Sequence, residues 1–224
     1  MKTTAAIAVL LSACFPRLAP AENTSLSASA SVVSEYVSQG FELSGGPAFQ
    51  PYLELDYKRA YAAIDASNVS QELSGADVEI DFYLGYRWTM KKFSFDAAYG
   101  YYAYTNITTA DEFGEFTFTA DYSVNEKLSI TGYIGYAPEY FDQLDRSLSV
   151  TVDTGIKNFS ATATYGAVST GFGDWDYYTV GTSYKVNDKL SFGLDYWGAS
   201  DSSQGLGVTD GILVASANYY FDPS

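Results

Sequence analysis

Apolar and polar residues alternate with a period of two along most of this chain. In the clearest stretch, residues 78–88, every second position is apolar or aromatic, and Glu79, Asp81 and Arg87 fall between them. Because side chains alternate across a β-strand, this segment has one apolar face and one polar face. Its eleven residues exceed the usual length of a globular strand and match a tilted strand that crosses a bilayer.

The same pattern recurs about twelve times, and its connections alternate in length. Tight turns are expected near residues 59, 91, 126, 158 and 188, with longer loops between them. Short turns at one rim and long loops at the other are typical of outer-membrane barrels, whereas Greek-key connections in soluble sandwiches would break this alternation. The sequence therefore predicts an all-β fold, a single transmembrane antiparallel up-and-down β-barrel of about twelve strands.

The long-loop rim includes three connections that follow directly from breaks in the strand pattern. The first strand is expected to begin at Leu26, to bulge near Val32 and to continue to about Ser38, followed by a loop at residues 39–47. Further loops are expected at residues 138–145 and 171–174.

Aromatic residues collect beside the predicted short turns. They are Tyr57, Trp88, Phe93, Tyr122, Phe159 and Tyr184. Aromatic residues favour strands in general, but six of them beside five turns favour a girdle at the membrane interface. Amphipathic rings are stable there because one end is dry and the other is wet.

The N-terminus has the form of an export signal. Lys2 supplies a positive start, residues 5–13 are apolar, and a small-x-small site predicts cleavage after Ala21. The mature barrel domain would then be residues 22–224. A lipoprotein-type sequence that ends at Cys14 leaves lipidation of that cysteine as the alternative.

The charge balance excludes some partners. The chain has 12 Lys and Arg against 27 Asp and Glu, and the mature part would carry a net charge of −17 once Lys2 and Arg17 are removed. Nucleic acid is therefore not an expected partner, since proteins bind it mainly by neutralising its phosphates with basic side chains. The expected partners are outer-membrane lipid and small solutes or ions, and the oligomeric state is not indicated.

Several short motifs resemble those of the TorF-like porin family, a group of exported proteobacterial outer-membrane proteins whose function is mostly unassigned. They are Ser34-Glu35-Tyr36 with Gly40, Gln50, Tyr61, Ser67-Asn68-Val69, and Glu79-Ile80-Asp81-Phe82-Tyr83 with Gly85-Tyr86. The resemblance is best over residues 30–105. It implies a porin-type barrel and offers no catalytic residues to transfer.

Acidic residues dominate the polar face of the predicted strands. The candidate pore-lining residues are Glu54, Asp56, Glu79, Asp81, Arg87, Asp96, Glu115, Asp121, Asp153 and Asp195. Rings of charged side chains set the ion preference of a channel, so this set predicts a small pore that leans to cations. The alternative is a filled lumen in which the acids are hydrogen-bonded, because twelve strands enclose far less space than the roughly 16–18 of open porins.

No residue pattern points to catalysis, a cofactor or a metal. Histidine, the most common general base and metal ligand, is absent. The pair Glu79 and Asp81 is better explained as pore lining than as acid–base machinery, and the loop acids lack the spacing of a calcium loop. We therefore do not expect an enzyme.

The sequence favours an outer-membrane porin of a Gram-negative bacterium, acting by passive diffusion of small solutes. Two alternatives stay open at this point. One is a closed structural or adhesive barrel, and the other is a soluble secreted β-sandwich that binds a partner.

Overall fold

The computed structural model describes residues 24–201 and 211–221 of the chain. The predicted signal segment, its cleavage after Ala21 and the alternative lipidation of Cys14 lie outside these residues and stay predictions. Within the described ranges, no helix has both the length and the apolar character that a membrane span requires.

Twelve of the fourteen strands in the described ranges form one closed barrel. The barrel strands are β1 (Thr24–Val33), β4 (Ala48–Tyr57), β5 (Ala60–Asn68), β6 (Val78–Met90), β7 (Phe93–Thr105), β8 (Phe113–Asn125), β9 (Leu128–Ala137), β10 (Gln143–Asp153), β11 (Phe159–Thr170), β12 (Gly173–Lys185), β13 (Leu190–Asp201) and β14 (Ile212–Phe221). Strand β1 pairs with β14 to close the sheet. The other two strands, β2 (Val37–Ser38) and β3 (Phe41–Glu42), form a small hairpin. The predicted antiparallel up-and-down barrel of about twelve strands is confirmed.

The strand register separates an inner face from an outer face around the whole barrel. Register partners share a face of the sheet, so the row Glu54, Ala63, Tyr83 and Gly100 across β4 to β7 points to one side. Glu54 and Ala63 are buried, whereas Leu84 on the opposite face is 66% exposed. The apolar face therefore points outward, as in membrane barrels and opposite to a soluble sheet. This arrangement rules out the soluble β-sandwich.

The six predicted girdle aromatics all lie on the outer face beside the short turns. Several of them pack against further outer rings. The ring centroids of Trp88 and Phe95 are 5.1 Å apart, and those of Phe93 and Tyr122 are 4.8 Å apart. Such a band of rings is the feature that membrane barrels present at an interface.

Two predicted loops at the other rim are shorter than expected. The predicted loop at 171–174 is a turn limited to residues 171–172, since Thr170 already pairs with Gly173. The hydroxyl of Thr170 also donates to the carbonyl of Gly173 at 2.8 Å, which supports this pairing. The predicted loop at 138–145 covers only residues 138–142, since β10 begins at Gln143. That earlier start places Asp145 on the inner face, opposite Gly135 and Val168.

The prediction for the end of the first strand is wrong. Strand β1 ends at Val33, and its pairing with β4 is regular through Val33, without the expected bulge. The chain then turns into the barrel as a plug, which we define as residues 34–47. A hairpin turn allows this path, because Gln39 and Gly40 both adopt left-handed conformations, with φ of 48° and 88°. A Cβ on Gly40 would also lie only 2.5 Å from the Cβ of Ala199.

The outward position of Leu84, midway along β6, yields a stability prediction. Replacing Leu84 with Arg should lower the free energy of unfolding from lipid vesicles by about 2–4 kcal/mol, because a charge would face the bilayer midplane. The matched control is Ile107→Arg in the β7–β8 loop, where the side chain is 47% exposed. Equal, small effects of both substitutions in a denaturant titration would contradict the lipid-facing assignment.

Candidate functional site

The lumen is the candidate site, and all ten residues predicted to line it lie on the inner register. Eight of the ten are on β4, β6, β7 and β8, so one wall of the barrel holds most of the charge. Asp65, whose strand pattern also places it on the polar face, lies on the same inner face, and the structure adds Asp145 to it. In the described strands the inner register carries two basic residues, Arg87 and Lys185, and Lys185 pairs with Asp188 at the rim, at 2.9 Å.

Arg87 is held by three carboxylates. Its guanidinium donates to both oxygens of Glu54 at 2.7 Å, to Asp96 at 2.8 Å and to Asp56 at 3.4 Å. The guanidinium carbon also lies 3.7 Å from the centre of the Tyr61 ring, in cation–π contact. The bidentate contact with Glu54 is the strongest type of ion pair in proteins.

The Arg87 cluster leaves a surplus of negative charge. One guanidinium faces three acids, and Glu54 is only 3% exposed, so its charge depends on Arg87 for compensation. The hydroxyl of Tyr61 donates to Asp96 at 3.0 Å, and the hydroxyl of Tyr52 donates to Glu54. Arg87 therefore has little capacity left to bind an anionic solute.

Small hydroxyl side chains line the wall opposite the charged one. On this wall Ser149 is hydrogen-bonded to Thr164 at 2.8 Å, and Thr151 to Thr162 at 3.0 Å. These four side chains are half-buried rather than buried, so solvent reaches them inside the barrel. We define the chamber as this part of the lumen nearest the short turns, lined by the Arg87 cluster, the hydroxyl wall, Asp121 and Asp195.

The half of the lumen next to the long-loop rim is filled by the plug. Leu43 and Phe41 of the plug are 1% and 7% exposed, and Phe41 packs edge-on against Trp175 with ring centroids 5.1 Å apart. The plug and the wall form one apolar cluster that includes Tyr36, Val69, Tyr102, Phe113, Tyr140 and Val168. This cluster separates the chamber from the long-loop rim.

Glu79 anchors the first part of the plug. Its carboxylate accepts hydrogen bonds from the hydroxyl of Tyr36 in the plug and from the hydroxyl of Tyr104 on the wall, both at 2.6 Å. With 1% of its surface exposed, Glu79 is part of the filled layer rather than the chamber. Glu115 occupies a similar position, since it accepts from Tyr102 at 3.1 Å and is also 1% exposed.

Asp145 anchors the tip of the plug. The side-chain amide of Gln39 donates to its carboxylate at 2.7 Å, and the hydroxyl of Tyr177 donates at 3.1 Å. The indole of Trp175 donates to the carbonyl of Gln39 at 2.8 Å. Together with Glu79, these contacts hold the start of the hairpin and its turn.

A second network orders the loops at the long-loop rim. Asp77 accepts hydrogen bonds from the amide of Asn106 at 2.6 Å and from the amide of Gln71 at 2.7 Å. These two bonds hold the pKa of Asp77 below its usual range, and the bond from Asn106 has the larger effect. The bond from Asn106 joins the β5–β6 loop to the β7–β8 loop beside the plug.

Sequence reasoning missed the plug and its anchor Asp145. Asp145 was assigned to a loop, and residues 39–47 were expected to form an ordinary connection. One signal was present, because Phe41 and Leu43 are large apolar residues in a segment that would otherwise be exposed to water. Within the described part of the chain, no group of three or more Asp, Glu or Cys side chains has the geometry to hold a metal ion.

The sequence matches the family described as "Bacterial protein of unknown function (Gcw_chp)" over residues 18–218. The match covers most of the chain, so the protein belongs to this family. The resemblance to the TorF-like family stays a prediction. No curated protein matches the sequence significantly.

The barrel is similar to those of solved porins. The KdgM porin has a TM-score of 0.65 at 9% identity, over 88% of this chain and 99% of that chain. The KdgM porin in complex with disordered oligogalacturonate has a TM-score of 0.63 at 8% identity, over 89% and 99%. The NanC porin has a TM-score of 0.57 at 7% identity, over 90% and 100%. Identities this low show a common fold and nothing finer.

Arg87→Ala should lower the free energy of unfolding by about 2 kcal/mol, because Glu54 loses its counter-charge while it stays buried. The value is below the full cost of breaking a buried pair, since Arg87 is itself 36% exposed. Adding Glu54→Gln should recover part of the loss. A double-mutant cycle measured by urea unfolding in detergent tests this coupling. Additive effects of the two substitutions would show that the pair is not coupled.

Proposed function

We propose that this member of the Gcw_chp family is an outer-membrane porin that allows passive diffusion of small solutes and favours cations over anions. The observation that carries the proposal is a closed membrane-type barrel whose inner wall is acidic, with its inward Arg87 already paired to three carboxylates. The proposal needs no cofactor and gives no residue a catalytic role.

The inner charges support the cation preference. Asp121 and Asp195 face the chamber without a basic partner among the described contacts, and the hydroxyl of Thr131 donates to Asp121 at 2.5 Å. Fixed negative charge in a narrow lumen raises the local concentration of cations and repels anions. Together with the Arg87 cluster, these acids form the proposed selectivity surface.

The same charges argue against acidic substrates. One of the similar porins is described in complex with oligogalacturonate, a polyanion. A polyanion needs unpaired basic groups along its path, whereas the described inner face has Arg87 enclosed by acids and Lys185 paired at the rim. We therefore propose neutral or cationic solutes for this protein.

A second candidate function is a closed structural or adhesive barrel. The plug favours it, because the anchored apolar cluster fills the lumen at the long-loop rim. In this alternative the outer loops bind partners and no solute passes. The two candidates differ in one respect. In the porin, ions pass the plug or displace it, whereas in the closed barrel the plug blocks them.

The porin proposal is tested by reversal potentials in planar bilayers under a KCl gradient. We expect a cation-selective conductance, and we expect the double variant Asp121→Asn with Asp195→Asn to move the reversal potential towards zero. The matched control is Asp174→Asn with Asp176→Asn, which removes the same charge from the outer register of β12. An anion-selective conductance in the unmodified protein would contradict the charge assignment.

The plug is tested by removing both of its anchoring side chains. Tyr36→Phe with Gln39→Ala deletes the bonds to Glu79 and Asp145, so the plug should be displaced more often and the mean conductance should rise several-fold. The control, Tyr101→Phe with Gln71→Ala, removes the same residue types outside the lumen, where they bond to Glu112 and Asp77. Both pairs should fold to the same heat-modifiable form.

Absence of conductance in the unmodified protein and in the plug variant alike would favour the closed barrel. Conductance that is equal in the plug variant, the control and the unmodified protein would mean that the plug does not limit flow.

A further inference from the structure

We propose that Asp65 and Asp81 form a binding site for a small, hard cation such as Ca²⁺ at the inner end of the chamber. The two residues are register partners on the neighbouring strands β5 and β6, and both point into the lumen. Directly opposed side chains on paired strands have Cβ atoms about 5 Å apart, so two carboxylates there repel one another unless a proton or a cation lies between them.

The carboxylate of Asp81 is short of partners. Asp81 is only 5% exposed, and among the described residues its Oδ1 has no hydrogen-bond partner. Its Oδ2 accepts a long bond, 3.4 Å, from the hydroxyl of Tyr83. A buried carboxylate oxygen without a donor is costly, and such atoms in native proteins often face a bound ion or water.

The neighbouring side chains do not supply the missing positive charge. Both oxygens of Glu79, two residues away on β6, are occupied by Tyr36 and Tyr104. The hydrogen bonds of Arg87 go to Glu54, Asp56 and Asp96 instead. The described wall therefore places no basic side chain beside the pair.

A cation can approach the pair from the chamber. Asp65 is half-buried, in contrast to Asp81, so one side of the pair is open to solvent. The acids of the chamber also raise the cation concentration along that approach.

The available atoms determine the class of ligand. The donors are carboxylate and phenol oxygens, which suit Ca²⁺ and similar hard cations rather than soft metals. Since no third carboxylate completes the shell within the described residues, the cation would keep several of its water ligands. The charge of a divalent ion balances the two carboxylates.

Binding at this site requires Asp65 and Asp81 to point into the lumen, but it does not require ions to flow through the barrel. Its test is therefore separate from the conductance measurement. Equilibrium dialysis of ⁴⁵Ca²⁺ against folded protein in detergent, at 0.1 M KCl to screen surface acids, gives the affinity. Luminescence of Tb³⁺ excited through tyrosine, and its displacement by Ca²⁺, provides a second measure.

We expect saturable binding that weakens at least tenfold in Asp65→Asn and in Asp81→Asn. The control Asp121→Asn, which removes another inner carboxylate, should weaken binding far less, because it changes only the general field of the chamber and no ligand of the cation. The amide variants preserve side-chain shape, and retained heat-modifiability confirms that they fold. If Asp65→Asn does not fold, Asp65→Ser replaces it in the same measurement.

Three results would overturn the proposal. The first is no saturable binding in the unmodified protein, which would leave a proton shared between the two acids as the explanation. The second is an affinity in the Asp65 and Asp81 variants equal to that of the unmodified protein. The third is a loss of affinity in Asp121→Asn as large as in those two variants. If the protein binds Ca²⁺ but passes no current, the porin proposal is wrong and the proposal of a cation site at Asp65 and Asp81 stands.

Discussion

The contact between the outer wall and hydrocarbon is the constraint on which the other features depend. Lipid accepts Phe82 and Leu84 on one face of β6 and forces Asp81 and Tyr83 onto the other, because adjacent side chains alternate. Closure of β1 against β14 satisfies the last exposed strand edges, which a membrane would not tolerate. All charged groups on the strands must then be compensated inside the barrel or at its rims.

The lumen achieves this compensation in two different ways. Near the short turns, Arg87 and the hydroxyl wall are accessible to solvent, and water shares the task of stabilising the acids. Near the long loops, the plug excludes water, and tyrosine hydroxyls and Gln39 provide the donors for Glu79 and Asp145. The same inward acids thus serve as anchors in one half and as solvent-facing charge in the other.

The barrel fold was predictable from the sequence because the features that indicate it are local. Period-two alternation and the spacing of turns such as Lys58-Arg59 were sufficient for the fold and for the inward direction of Glu54 and Arg87. Their pairing was not predictable, because Arg87 meets Glu54 only after β4, β5 and β6 are aligned. The plug was missed for a similar reason, since its anchors lie on distant strands, and Asp145 was missed because β10 begins earlier than its first alternating residues suggest.

The most direct test of the account compares two adjacent residues of β10, Leu148 and Ser149, as single nitroxide-labelled cysteines in vesicles. Leu148 is 56% exposed on the outer register, and Ser149 is half-buried on the inner register. The label at 148 should collide mainly with lipid-soluble oxygen, and the label at 149 mainly with a water-soluble nickel complex. The reverse order, or a water-accessible label at 148, would contradict it.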